Sequence, residues 1–149
     1  MTGRFIEPLS DEQRAALIEA ARSFMGVPFR HQGRSRQGVD CAGLVVTSFR
    51  EIGIELEDVV GYGRVPYKQR LESALERNFG AALDKSHMRP GDVALFRFAE
   101  NHAPTHVALI TDHPDWPLGM IHAFAQTKTV VEHGINAEWM AHIVKVYRP

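Results

Sequence analysis

HVALITDHPDWPLGMIHAFA, residues 106–125, reads as two short strands joined by a link that holds Pro114, Pro117 and Gly119. Alternation with period two puts His106 on one face with Ala108 and Ile110. It puts His122 on one face with Met120 and Phe124. Pro114 lies midway between His106 and His122, so a hairpin centred there sets the two histidines opposite each other. Side chains at such positions stand about 4.5–5.5 Å apart at Cβ, within reach of an imidazole–imidazole hydrogen bond. Further strand-like runs flank this pair: VALFRF after the turn signal RPGD (Arg89–Asp92), then TVVEH and IVKVYR.

The first half has a different period. Ser10 and Gln13 form a capping box, and Leu17, Ile18, Ala21, Phe24 and Met25 follow at helical spacing until Gly26 and Pro28. A second helix starts near Cys41, with Leu44, Val45, Ser48, Phe49 and Ile52 on one side, and stops at Gly53. A third is expected from about Pro66 to Phe79, and Asn136 is placed to cap a single turn through Trp139. Helices followed by strands predict an α+β domain, with helices packed on an antiparallel sheet of five or six strands. At 149 residues, with no repeat or linker, the expectation is one domain over 1–149.

Composition narrows the function. A net charge of −1 supplies no basic field for nucleic acid. No apolar run approaches the ~20 residues of a membrane helix, and MTGRFIEPLSDEQ lacks a secretory h-region. The expectation is therefore synthesis in a bacterial cytoplasm, without membrane insertion. One cysteine rules out an intramolecular disulfide framework.

That cysteine, Cys41, follows Asp40, a suitable N-cap, and precedes Ala42 and Gly43, which leave its approach uncrowded. A thiol in the first turn of a helix is expected to have a lowered pKa. A lone cysteine more often just packs, so a partner imidazole is needed, with a third group to orient it. His106 fits as base and His122 as its orienter. His87, His102, His113, His133 and His142 fall in loops or at strand ends with no clear partner. His31 is intermediate, in the loop before Cys41. Arg30, Arg34 and Arg36 are either carboxylate binders or a solvated loop. His102 and His106 have an H-x₃-H spacing, but Pro104 opposes a helix presenting both rings, and no H-E-x-x-H motif is present. The chemistry so read needs no metal and no cofactor.

Four blocks, GVPFRHQGRSRQGVDCAGLV, RPGDVALFRF, THVALI and MIHAFA, resemble in order and spacing the NlpC-type cell-wall peptidases, papain-like cysteine hydrolases of peptidoglycan stem peptides. The resemblance runs from about Ala20 to Arg148. It implies a papain-like fold, Cys41 as nucleophile, His106 as base and His122 as third polar residue. It also implies cleavage next to γ-D-glutamate, before the diamino acid of the stem peptide. Asp40, Phe29, His31 and Gly43 then fall on the substrate side. Many relatives carry tyrosine at the position of Phe29, with its hydroxyl near the nucleophile. Here the Cys41 N–H or His31 is left to complete the oxyanion site. FRHQ and the ending AEWMAHIVKVYRP look most like the branch encoded in phage tail gene clusters. This implies tail-tip proteins as partners, a place in the virion and action at the cell wall. The alternative is a mainly structural tail-tip or assembly protein with weak or no hydrolase activity.

Overall fold

The computed structural model describes residues 3–58, 70–99 and 103–149. Along these residues run α1 (Asp11–Arg22), β1 (Arg34–Ser35), β2 (Gly38–Val39), α2 (Cys41–Glu51) and α3 (Arg70–Phe79). A 3-10 turn at Lys85–His87 leads to β3 (Val93–Phe96), β4 (His106–Thr111), β5 (Gly119–Phe124), β6 (Thr129–Gly134), α4 (Ala137–His142) and β7 (Ile143–Tyr147). The α+β expectation holds. The main sheet has five antiparallel strands in the order β6–β5–β4–β3–β7. The start expected for the third helix, residues 66–69, lies outside the described residues.

Local chemistry accounts for the elements. Ser10 Oγ accepts the Gln13 N–H at 3.1 Å while Gln13 Oε1 accepts the Ser10 N–H at 2.9 Å, a complete capping box for α1. Asn136 caps α4 through the Trp139 N–H at 2.9 Å. The arginine-rich loop before Cys41 shows no strand signal in the sequence, yet it contains the ribbon β1–β2, with Arg34 opposite Val39 and Ser35 opposite Gly38. Two residues per strand are too few for alternation to show.

The two faces of the sheet bury different cores. Val93, Leu95, Val107, Leu109, Ile121, Ala123 and Tyr147 pack under α1 and α2 with Leu17, Leu44 and Phe49. On the other face Ala94, Phe96, Ala108, Ile110 and Met120 are covered by Met88, Ile135, Trp139 and Met140. His106 and His122, by parity with Ala108 and Met120, belong to this second face.

The hairpin register differs from the sequence expectation. Thr111 pairs with Gly119 and Ile110 with Met120, which puts His122 level with Ala108 rather than with His106. Gly119 supplies the reason. A Cβ there would lie 2.6 Å from both Thr111 Oγ1 and His113 Cβ, so glycine is what admits the close pairing that fixes the register. The two histidines meet on a diagonal, still within reach of rings.

Candidate active site

Asp40 stands at the N-cap of α2, its backbone extended (φ −96°, ψ −172°). Oδ1 accepts the Gly43 N–H at 2.8 Å and Arg34 Nη1 at 2.9 Å. Oδ2 accepts the Gln32 N–H at 2.9 Å. Arg34 is in turn held bidentate by Asp58, at 2.8 and 3.1 Å. Asp40 is buried, and these contacts tie the loop before α2 to its first turn. A Cβ on Gly43 would collide with Gly33 O, so glycine is what lets that loop lie against the helix. Asp40 and Gly43 thus act on the placement of Cys41. Phe29 is half-buried against the helix-side core and its N–H donates to Lys128 O at 2.8 Å. His31, also half-buried, lies 3.4 Å from the Gln32 side chain. Arg34 and Arg36 are engaged within the protein, Arg36 with Ser23 and Glu51.

Cys41 is partly buried at the start of α2. The backbone N–H groups of Val107 and Ala42 act on its thiol and lower its pKa, and Cys41 packs against the helix-side core. The Val107 N–H is available because of the strand geometry. The Ile110 N–H goes to Asp92 O, so alternate N–H groups of β4, including that of Val107, face β5. The β4–β5 pairing ends at Leu109 opposite Ile121, short of Val107. The Val107 N–H, next along the chain from His106, is therefore directed towards the gap where the two strands part.

The thiol differs from the sequence expectation. Burial pushes it up to about 11 and the neighbouring Asp40 carboxylate adds to this, against the two N–H groups and Arg34, which pull it down. Loss of hydration outweighs the favourable helix N-terminus.

His106 Nε2 lies 2.7 Å from His122 Nδ1. His122 Nε2 lies 2.9 Å from His133 Nε2, and His133 Nδ1 lies 2.9 Å from Gly134 O. Three histidines on three adjacent strands thus form one hydrogen-bonded chain. His133 is the residue that sequence reasoning misses. A signal for it exists: His122 pairs with Val131 and Met120 with His133 across a short turn, so parity places both rings on one face. Aromatic rings enclose the chain. Phe96, Phe98 and Phe124 lie 5.7–5.8 Å from His106, and Trp139 lies 5.3 Å from His122 and 5.2 Å from His133. Burial pushes His106 down to about 3. Burial, followed by the charges of His106 and His133, pushes His122 to about 2. Among the described residues His106 makes no hydrogen bond to Cys41, and burial favours the neutral form of both side chains.

The other histidines stand outside this chain. The His87 carbonyl accepts from Arg148 at 2.8 Å, His142 Nδ1 lies 3.1 Å from Arg97 O, and His113 accepts the Asp115 N–H at 3.1 Å. His102 is outside the described residues. Among those described, no group of three or more His, Cys, Asp or Glu side chains is arranged to hold a metal ion, and no helix is long and apolar enough to cross a membrane.

Residues 26–148 match the model of the NlpC/P60 family. The chain is 28% identical over 95 residues to the probable endopeptidase NlpC of Escherichia coli, covering 64% of this chain and 54% of that protein. It is 31% identical over 85 residues to the E. coli murein DD-endopeptidase MepS/murein LD-carboxypeptidase, covering 56% and 38%. The chain thus spans about half or less of the curated relatives it matches. Among solved structures it superposes on an NlpC/P60 family protein of Bacillus cereus with a TM-score of 0.68 at 24% identity, over 98% of this chain and 42% of that one. The NlpC/P60 domain of the peptidoglycan hydrolase SagA gives 0.61 at 20% identity, over 91% and 98%. These two likenesses establish the fold.

Proposed function

Because the chain belongs to the NlpC/P60 family, we propose that it is a cysteine endopeptidase of peptidoglycan stem peptides, with Cys41, His106 and His122 as its catalytic set. The observation that carries the reading is the His106–His122 hydrogen bond at the end of β4, with the N–H of the next residue, Val107, acting on the Cys41 thiol.

In the resting state both partners are neutral. As the peptide carbonyl arrives, the thiol proton passes to His106 and the sulfur bonds to the carbonyl carbon. Catalytic contacts of this kind commonly tighten only with substrate bound. The Cys41 N–H, in the first turn of α2, serves in this reading as a donor to the developing oxyanion. Collapse of the tetrahedral intermediate breaks the C–N bond, leaves a thioester on Cys41, and the leaving amine takes the proton from His106. Water then attacks the thioester, with His106 taking its proton, and the C–S bond breaks to release the acid and restore the thiol. His122 accepts from His106 Nε2 and steadies the imidazolium throughout.

The bond cleaved is read as the one following γ-D-glutamate, and the chain as a tail-associated member. Both rest on the sequence resemblance, the second on Phe29–Gln32 and residues 137–149. Mass spectrometry of muropeptides released from defined sacculi tests the reaction. Wild type releases fragments ending in γ-D-glutamate, whereas Cys41→Ala and His106→Ala release none. Release that persists in both variants defeats the mechanism. Detection of the chain in purified virions tests the tail assignment.

A further inference from the structure

We propose that His133 is a positioning residue of this site, which fixes the tautomers of His122 and His106 and keeps His106 Nδ1 bare to receive the thiol proton. The reaction it serves is the hydrolysis argued above; the tautomer order itself is a property of the resting protein.

The Gly134 carbonyl can only accept, so the hydrogen at the 2.9 Å contact sits on His133 Nδ1. A neutral His133 then has a bare Nε2, which faces His122 Nε2 at 2.9 Å and must accept from it. His122 therefore carries its hydrogen on Nε2 and is bare at Nδ1. That Nδ1 faces His106 Nε2 at 2.7 Å and accepts from it. Burial holds His106 and His122 neutral, so each ring has one hydrogen to place. His106 is left with its hydrogen on Nε2 and a lone pair on Nδ1. One backbone carbonyl on β6 thereby determines the state of the base on β4, two strands away.

The order is reversible. A donor at the position of His133 Nε2 turns every hydrogen around: His122 would accept there and donate from Nδ1. His106 would then accept at Nε2 and carry its hydrogen on Nδ1. In that state it cannot take a proton from the thiol. His122 alone is indifferent to the two orders, because a neutral imidazole donates from one side and accepts at the other whichever way it is set. Something outside the pair must choose, and His133 with Gly134 is the group in contact that does. Trp139 packs on both rings, at 5.3 and 5.2 Å, and holds them in line.

The test uses three variants of the full chain. In His133→Gln the side-chain oxygen can accept from His122 while the amide nitrogen donates to Gly134. In His133→Lys an ammonium donor replaces the acceptor. His133→Leu removes both. Two-bond proton–nitrogen NMR spectra separate protonated from bare ring nitrogens and need no turnover. Wild type and His133→Gln should show His106 with hydrogen on Nε2 alone, and His133→Lys should show it on Nδ1. Muropeptide kinetics should show kcat lowered about 10–100-fold in the Lys and Leu variants with KM unchanged, and largely restored in Gln. The proposal is overturned if wild-type His106 carries hydrogen on Nδ1, or if the Lys variant keeps the wild-type tautomers or kcat. If the Leu variant does not fold, the contrast between Gln and Lys still decides. If wild type releases no muropeptides, the hydrolase reading fails while the NMR result judges the tautomer order separately.

Discussion

The ladder between β3 and β4 ends in a buried polar network on either side, and the two are built differently. At one end Asp92, wholly buried, accepts from Arg14 Nη2 at 2.8 Å, Arg148 Nε at 3.0 Å and Nη2 at 2.8 Å, and the Arg89 N–H at 2.9 Å. At the other end three imidazoles hand hydrogens along one line from His106 to the Gly134 carbonyl. The Asp92 end is charged, and its carboxylate oxygens are occupied by donors from α1, the turn before β3 and the residue after β7. At the histidine end burial holds His106 and His122 neutral, and the order leaves one lone pair over, at His106 Nδ1. Charge with its partners fixes where segments sit. A neutral directional chain fixes which way a proton can move.

The comparison breaks most sharply when one member is taken from each end. His122→Phe fills the ring's place among Phe124 and Trp139 but leaves His106 without its acceptor. We expect kcat for muropeptide release to fall about 10⁴-fold, as when the group orienting a catalytic imidazole is lost, with only a small drop in the unfolding midpoint. Asp92→Asn should do the reverse. It leaves two arginines facing a neutral amide, and denaturant unfolding should show about 3–5 kcal/mol of lost stability. Turnover per folded molecule should be little changed. A stable but inactive Asp92→Asn protein, or an active His122→Phe protein, would erase the distinction.

Acid sharpens the contrast by a smaller amount. Burial pushes His106 down to about 3 and His122 to about 2 in the folded protein, against about 6.5 in the unfolded chain. Between these values the unfolded chain binds protons that the folded one refuses, so stability falls as the pH drops below about 6.5. Each histidine contributes up to about 1.4 kcal/mol per pH unit to that slope. Urea midpoints measured from pH 7 to pH 4 should therefore fall steeply in wild type and in Asp92→Asn, and about half as steeply in His122→Phe. Equal slopes in all three would show that the buried histidines do not govern the acid response.

How much of this is legible in the sequence depends on the range of the forces involved. Alternation in VALFRF, HVALIT, MIHAFA, TVVEH and IVKVYR reports which face each residue takes, and the five strands follow from it. The Asp40 cap and the Ser10–Gln13 box are contacts over three residues and are equally visible. The meeting of His106 with His122 is readable, but its register is not, because Gly119 pairs with Thr111 for lack of space rather than by pattern. The thiol escapes a sequence reading for a related reason. A helix N-terminus can be read locally, whereas the burial that raises Cys41 depends on where β4 and β5 part. His133 is within reach, since the same parity argument that joins β4 to β5 joins β5 to β6.

The smallest expected effect concerns Phe29, in the loop before Cys41. At Asp92 donors already fill both oxygens, but Phe29 brings no hydroxyl to the loop that runs beside Val39, two residues before Cys41. Phe29→Tyr keeps the ring and adds one oxygen. A new hydrogen bond of ordinary strength is worth about 0.5–1.5 kcal/mol, which corresponds to a rise of about 2–10-fold in kcat if it forms with the oxyanion. The effect must appear in kcat and not in KM, since the oxyanion exists only after attack. It must also vanish in the Cys41→Ala background, where no acyl chemistry occurs. Unchanged kcat in Phe29→Tyr would show that a hydroxyl at this position gives the oxyanion no added hydrogen bond.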